Sequence, residues 1–465
     1  MSSKNNMKML HIVVFPWLAF GHLLPFLNLS KYLATKGHRI SFLSTLRNLQ
    51  RLPKIPHHLQ SLVTLAPIPL PRVAGLPPDA EATTDLNSDK VPLLREAYYL
   101  MQEGVARFLE VRVKGDQRFV HEGASHVDWI IHDFNPWIGP TADRFGIKTA
   151  FFITTNAWTI TVTAPTSYYK VLLEDGPGHG PNTEPDNRNL LYKIHEARKS
   201  LGNIDKNVEE SKITIKNCDV IFIRSCQEFE PESMQLLEVL YKKPVVPVGL
   251  IPIFHMDDDE GVDTWLTVSG WLDKRKKWSV VYVALGSEAS PTQEQITELA
   301  LGLEESKLPF IWALRNIEGP SYKRVAVPHG FEERTRETGL ILTKWAPQTR
   351  ILAHESVGAF LTHCGCSSVI EGLQFGKPLI MLPFFMDQIL NTQIFKDKNV
   401  GVEIVKDEKN GSIWRKNIGK LVKLLLDDES GKIYREEAMK MSKIVGDQEL
   451  HFNYFEKLEE YLRNN

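Results

Sequence analysis

The chain has 465 residues, 43% of them apolar, which is too long for one ordinary domain and suits two of about 200 residues with a core each. A formal net charge of −2 gives no electrostatic reason to invoke nucleic acid or an anionic membrane. Four cysteines, Cys218, Cys226, Cys364 and Cys366, make neither a disulfide framework nor a paired zinc motif, and His363-Cys364-Gly365-Cys366 lacks further ligands at metal-binding spacing.

The opening run MSSKNNMK has no signal-peptide core behind it, and no apolar run approaches the length that crosses a bilayer, so a cytoplasmic protein without membrane insertion is expected. Leu10 to Phe15 reads as a buried strand. Pro16 to Gly21 turns it into a helix with Leu23, Phe26, Leu27, Leu33 and Ala34 at helical spacing, and Pro25 is tolerable there because it lies in the first turn. Gly37 closes the helix and Arg39 to Ser44 is the next strand, a βαβ opening that implies a parallel sheet. The turn lacks the G-x-G-x-x-G of a dinucleotide fold, which counts against a dehydrogenase.

His22 stands where the first helix begins. Taken alone it reads as a polar cap. Val127 to Phe134, however, is another buried strand, and it ends in Asp133, so both residues stand at carboxyl ends of strands in one sheet. A carboxylate on one imidazole nitrogen fixes the tautomer and stabilises the imidazolium, leaving the other nitrogen to take a proton. The helix N-terminus opposes that positive charge. Residues 67 to 95, with five prolines before position 79, read as an extended surface loop. Strands follow at Lys148 to Ile153, Asp219 to Arg224 and Pro244 to Val248. Trp137, Trp158, Tyr168 and Tyr169 are candidates for an acceptor pocket or for core.

From 250 to 277 prolines, an acidic run and the basic run Lys274-Arg275-Lys276-Lys277 mark an interdomain linker. A second α/β series begins at Ser279: a strand, Gly286 and Ser287, then a helix from Pro291. Three later loops carry polar groups at the carboxyl ends of strands, where open parallel sheets bind ligands. They are Trp345-Ala346-Pro347-Gln348, the run His363 to Ser368 after the strand Val357 to Thr362, and Asp387-Gln388 after the strand Pro378 to Pro383. Small residues leading into a helix at about Ser367 place backbone N–H groups and the positive helix end where an anion lies, and the Ser367 and Ser368 hydroxyls add donors. That is a diphosphate cradle. Glu371, one turn on, suits ribose hydroxyls; Trp345 offers a face for a base; Asp387 and Gln388 offer acceptors to a sugar. Singly, each has a plainer reading: Ser367 as an N-cap, Trp345 as core, Asp387 as a helix start.

The block WAPQTRILAHESVGAFLTHCGCSSVIEGLQFGKPLIMLPFFMDQ resembles the carboxyl-terminal signature of plant family-1 UDP-dependent glycosyltransferases, and FPWLAFGHLLPFLNLSKYLATKGHRISFLST resembles their amino-terminal pattern. The resemblance implies an α/β protein of two doubly wound Rossmann-like domains facing across a cleft, the GT-B arrangement. Its domains would be 1–249 for the acceptor, a linker at 250–277, 278–445 for the UDP-sugar, and a final helix in 446–465 packing back on the first domain. It implies His22 as general base and Asp133 as its partner. Trp345 would stack on uracil, with Ala346 and Gln348 on base and ribose and Glu371 on ribose. Ser287, His363, Gly365, Ser367 and Ser368 would hold the phosphates, and Thr155, Asp387 and Gln388 the sugar. Where the family usually has Trp-Asn this chain has Cys366-Ser367; Ser still donates to phosphate, whereas Cys366 removes a ring beside the sugar.

The expected activity is inverting, metal-free transfer of a hexose from UDP-sugar to a hydroxyl, with no cofactor. FPWLAFGHLLP, VVYVALGSE and AHESVGAFLTHCG look most like the branch that extends an existing sugar on terpenoid or flavonoid glycosides. The partners are therefore a UDP-sugar, glucose first and rhamnose second, and a small-molecule glycoside or aglycone, and the chain is expected to act as a monomer. The alternatives are a GT-B nucleotide-sugar epimerase, which would consume donor without acceptor, and a non-catalytic UDP-sugar-binding relative, for which Cys366-Ser367 is the one argument.

Overall fold

The strands that carry the site are runs of Val, Ile and Phe with no polar alternation, the pattern of strands buried on both faces in a parallel sheet. The computed structural model describes residues 8–114, 126–164, 193–198, 205–250, 262–286, 289, 291–314, 325–407 and 409–465. The chain divides into two units, Met1–Ile251 with Glu449–Asn465, and Pro252–Gln448.

Among the described residues the first unit holds seven strands: β1 (His11–Phe15), β2 (Arg39–Ser44), β3 (Val63–Pro67), β4 (Trp129–His132), β5 (Lys148–Ile153), β6 (Val220–Ile223) and β7 (Val245–Pro247). They pair in parallel in the order β3-β2-β1-β4-β5-β6-β7. The chain winds outward from β1 to β3, then returns to the other side of β1 at β4, so the switch point lies between β1 and β4. Phe15 is in register with His132, which sets the segments leaving these two strands side by side.

The described residues of the second unit form six: β8 (Val280–Ala284), β9 (Phe310–Ala313), β10 (Gly339–Leu342), β11 (Val357–Thr362), β12 (Leu379–Met381) and β13 (Gly401–Glu403), parallel in the order β10-β9-β8-β11-β12-β13. Its switch point lies between β8 and β11, where Ala284 is in register with Thr362.

The last helix, Gln448–Asn464, is part of the first unit from Glu449 onward. Phe455, Leu458 and Leu462 enter the core that Leu33, Trp129 and Phe222 share, each such burial stabilising by about 1.5–3 kcal/mol. Trp129 Nε1 donates to the Leu462 carbonyl at 3.0 Å, and the Tyr32 and Phe455 rings stack at 4.3 Å.

Three readings of the chain need revision. Pro25 stands inside the helix Phe20–Thr35, past its first turn. The stretch read as an extended loop to residue 95 ends sooner: short 3-10 turns at Thr83–Asp85 and Ser88–Lys90 lead into the helix Val91–Tyr99, with Pro at its start. Residues 262–272, within the stretch read as linker, form the helix Val262–Leu272, and the following Arg275 lies 4.2 Å over the Trp271 ring. The acidic run at 257–260 lies outside the described residues. Among the described residues no helix is long and apolar enough to cross a membrane.

Candidate functional site

In the first unit, β1 ends at Phe15 and the helix Phe20–Thr35 brings His22 back over the end of the sheet in its first turn. Asp133 is the first residue after β4. His22 Nδ1 lies 2.6 Å from Asp133 Oδ2, with the imidazole 19% exposed and the carboxylate fully buried. Asp133 Oδ2 also accepts from the Trp17 N–H at 3.1 Å, and Oδ1 accepts from the Phe134 N–H at 3.0 Å. A carboxylate ringed by donors is matched by an imidazole that presents Nδ1–H, which assigns the lone pair to Nε2. The Phe134 ring meets the imidazole edge-on at 5.6 Å and walls it.

Thr154, at the end of β5, adds a contact that the sequence reading missed: its Oγ1 is 3.1 Å from His22 Nδ1 and accepts a share of the same hydrogen. The neighbouring Thr155 is half-buried, and its Oγ1 has no hydrogen-bond partner among the described residues. This segment is clamped from behind. Glu230 accepts from Ala157 N and Trp158 N at 2.9 Å each and from Ser225 Oγ at 2.6 Å, while Asn156 caps the Thr159 N–H at 3.0 Å. Trp158 is buried, and half-buried Trp137 packs 5.9 Å from Phe15; Tyr168 and Tyr169 lie outside the described residues.

In the second unit, β11 empties into His363, Cys364 and Gly365, and Gly365 caps the helix Cys366–Gln374. Cys364 takes a left-handed φ of 65°, uncommon for a residue with a Cβ. The turn is held by Thr362 Oγ1, which accepts from Cys364 N at 3.3 Å, and by Asn391 Nδ2, which donates to the Cys364 carbonyl at 2.8 Å. The helix has no side-chain cap and no acidic residue in its first turn, so its positive end is not cancelled locally. Cys366, Ser367 and Ser368 are half-buried on that turn.

His363 is wedged between glycines. A Cβ at Gly286 would sit 2.4 Å from its Cε1 and one at Gly365 2.5 Å from its Nε2, so a side chain at either place would push the imidazole aside. Burial pushes the imidazole down to about 4, leaving it neutral at pH 7, and its Nδ1 has no hydrogen-bond partner among the described residues. Ser287, next to Gly286, lies outside the described residues.

Gln348 begins the helix Gln348–Ala353, its N–H donating to the Ala346 carbonyl at 2.8 Å. Its Nε2 donates to Glu371 Oε2 at 2.6 Å, and its Oε1 accepts from the buried Tyr282 hydroxyl of β8 at 3.2 Å. One chain of hydrogen bonds thus ties the Trp345 loop to the helix of the middle loop. Trp345 is 63% exposed, a large ring left on the surface after β10 rather than spent in the core.

Asp387 and Gln388 lie in the first turn of the helix Met386–Asp397. Gln388 Oε1 accepts from Phe384 N at 2.8 Å and Phe385 N at 3.3 Å. That corrects the reading of Gln388 as an acceptor for a ligand: both lone pairs of its oxygen serve its own loop, and the group it has left to offer is the amide NH2. Among the described residues no group of three or more His, Cys, Asp or Glu is placed to hold a metal ion.

Comparison with known proteins meets this geometry. Residues 257–452 match the family model described as UDP-glucoronosyl and UDP-glucosyl transferase. UDP-glycosyltransferase 91D1 of Stevia rebaudiana is 42% identical over 432 residues, covering 90% of this chain and 85% of that one. Soyasaponin III rhamnosyltransferase of Glycine max is 35% identical over 439 residues, covering 91% and 89%. Among solved structures, that of Arabidopsis thaliana UGT89C1 complexed with UDP-L-rhamnose superimposes with a TM-score of 0.76 over 98% of this chain and all of that one, at 24% identity.

Proposed function

The chain belongs to the plant UDP-glycosyltransferases and has their GT-B fold of two Rossmann-like domains, and from that premise we propose that it transfers a hexose, with inversion, to a hydroxyl on the sugar of a terpenoid or flavonoid glycoside. The observation that carries the chemistry is the 2.6 Å contact of His22 Nδ1 with the buried Asp133. It supports Nε2 as the base that takes the acceptor's proton, with Asp133 stabilising the imidazolium that forms. The acceptor oxygen attacks the anomeric carbon as the bond to UDP breaks, and the departing diphosphate gains negative charge. The uncancelled end of the helix Cys366–Gln374, the Ser367 and Ser368 hydroxyls and the neutral His363 are suited to meet that charge without a metal ion.

Trp345 takes the uracil face, Ala346 and Gln348 the base and ribose edge, and Glu371 a ribose hydroxyl. Asp387 accepts from the hexose and the Gln388 amide donates to it. Glucose is the first donor and rhamnose the second, the latter supported by the activity named for the soybean relative. The same name, a saponin already bearing sugar, supports a glycoside acceptor. The reaction is placed in the cytosol.

The test is His22→Ala. It should lower transfer by about 10²–10⁴-fold while leaving UDP affinity within a few fold, because the base acts on the acceptor and the nucleotide is held by other residues. Near wild-type turnover in that variant would sink the mechanism.

A further inference from the structure

Lys406 follows β13 and is half-buried. Its Nζ donates to the Pro383 carbonyl and stands 4.2 Å over the Phe384 ring. Both belong to the segment between β12 and the helix that bears Asp387 and Gln388. The backbone of Lys406 is pinned on each side: Ile404 N donates to the Met381 carbonyl at 2.8 Å, and beyond it Asp407 N donates to the Ser412 carbonyl at 2.9 Å while Gly411 N returns to the Asp407 carbonyl at 2.8 Å. Glu403, the last residue of β13, pairs with Lys396 at 2.6 Å. Lys406 therefore spends a partly desolvated ammonium on a carbonyl and a ring, and burial holds it below the ordinary lysine range with Glu403 opposing.

The segment is gripped from its other side by Gln388, whose Oε1 takes the Phe384 and Phe385 N–H groups. The Gln388 oxygen and the Lys406 ammonium thus hold the backbone of residues 383–385 from two sides, immediately before the turn that bears Asp387 and Gln388. We propose that Lys406 is a positioning residue for the donor sugar: it fixes the loop that presents Asp387 and Gln388, without touching the sugar itself. This rests on the reading that Asp387 and Gln388 hold the hexose.

The experiment uses the full chain, with kcat and KM for UDP-glucose against one acceptor and calorimetric UDP binding, all at pH 7. Lys406→Met keeps the stem and removes the donor. It should raise the KM for UDP-glucose about 10-fold and leave the UDP dissociation constant within about 2-fold, since a misplaced loop costs the sugar and spares the nucleotide. Lys406→Arg keeps charge and donors and should return KM to within about 3-fold of wild type. An unchanged KM in Lys406→Met, an equal loss of UDP affinity, or Arg no better than Met would each overturn the proposal. Should Lys406→Met fail to fold, Phe384→Leu decides instead: it removes the ring face and should raise KM about 3-fold, and an unchanged KM would count against the proposal. Asp387→Ala separates the two layers. If it leaves the UDP-glucose parameters at wild type, the sugar reading itself falls; if it raises KM and Lys406→Met does not, the role of Lys406 alone falls.

Discussion

Replacing Asp133 by Asn changes one atom and discriminates between a structural and a catalytic carboxylate. Three donors converge on the two oxygens: Trp17 N–H and His22 Nδ1–H on Oδ2, and Phe134 N–H on Oδ1. An amide has a single acceptor oxygen, so its NH2 must face either the pair on Oδ2 or the one donor on Oδ1. The Oδ1 side is the cheaper, because Phe134 is the next residue and its N–H is the lone donor displaced. The oxygen then stays with Trp17 and His22, and the tautomer is kept. What is lost is the charge that stabilises the imidazolium, a charge-assisted bond of about 1.5–3 kcal/mol, or roughly 10- to 150-fold in kcat. Asp133→Ala, which also strands the Trp17 N–H, should cost more than Asn and less than His22→Ala. The assay is initial-rate transfer from UDP-glucose with saturating acceptor, beside calorimetric UDP binding, which should stay at wild type. Wild-type turnover in Asp133→Asn would refute the argument, since the carboxylate charge would then do nothing; a loss near 10⁴-fold would mean that the amide turned the other way and inverted the tautomer.

Three further outcomes follow from the same geometry. Burial pushes His132 and His363 down to about 4 from the ordinary 6.5, so each binds its proton in the unfolded chain well before the folded one; the stability they carry is full above pH 6.5, drains as the pH falls toward 4, and at pH 5 each costs about 2 kcal/mol, which a thermal-unfolding series from pH 7 to 5 should register as a falling Tm. Cys366→Trp, at the first residue of the helix after Gly365, should shift the kcat/KM ratio of UDP-glucose to UDP-rhamnose by about 10- to 200-fold with little change in UDP affinity, whereas an unchanged ratio with lost UDP affinity would assign that side chain to the phosphates. Turnover should persist in excess EDTA; activity abolished by chelator and restored by a divalent ion would end the metal-free assignment.

The His22–Asp133 contact was legible because Asp133 directly follows one apolar strand run and His22 lies in the first turn of the helix that follows another, and a parallel sheet that opens βαβ gathers such residues along one edge. The contact of Thr154 with His22 was not. β5 is buried from Thr149 to Ile153 without alternation, so no period tells which of two adjacent threonines turns toward His22. Nor was the bond from Gln348 to Glu371, which joins two helices 23 positions apart, with the Tyr282 hydroxyl of β8 donating to the same Gln348 amide. Gln388 looked like a ligand acceptor because its role in closing its own loop depends on the backbone directions of Phe384 and Phe385, which side-chain identities do not carry. Strands β3, β9, β10 and β13 also escaped notice.

The central claim, that the chain moves a hexose from UDP to a sugar hydroxyl with inversion, is tested most directly by incubating it with UDP-glucose or UDP-rhamnose and a panel of terpenoid and flavonoid aglycones and their monoglycosides. Products are read by mass, and the new anomeric centre by NMR. The account predicts a product one hexose heavier from the monoglycosides in preference to the aglycones, UDP released in equal amount, and an anomeric configuration opposite to that of the donor. Donor consumed with no acceptor present, a retained configuration, or UDP-sugar bound without turnover across the whole panel would contradict it.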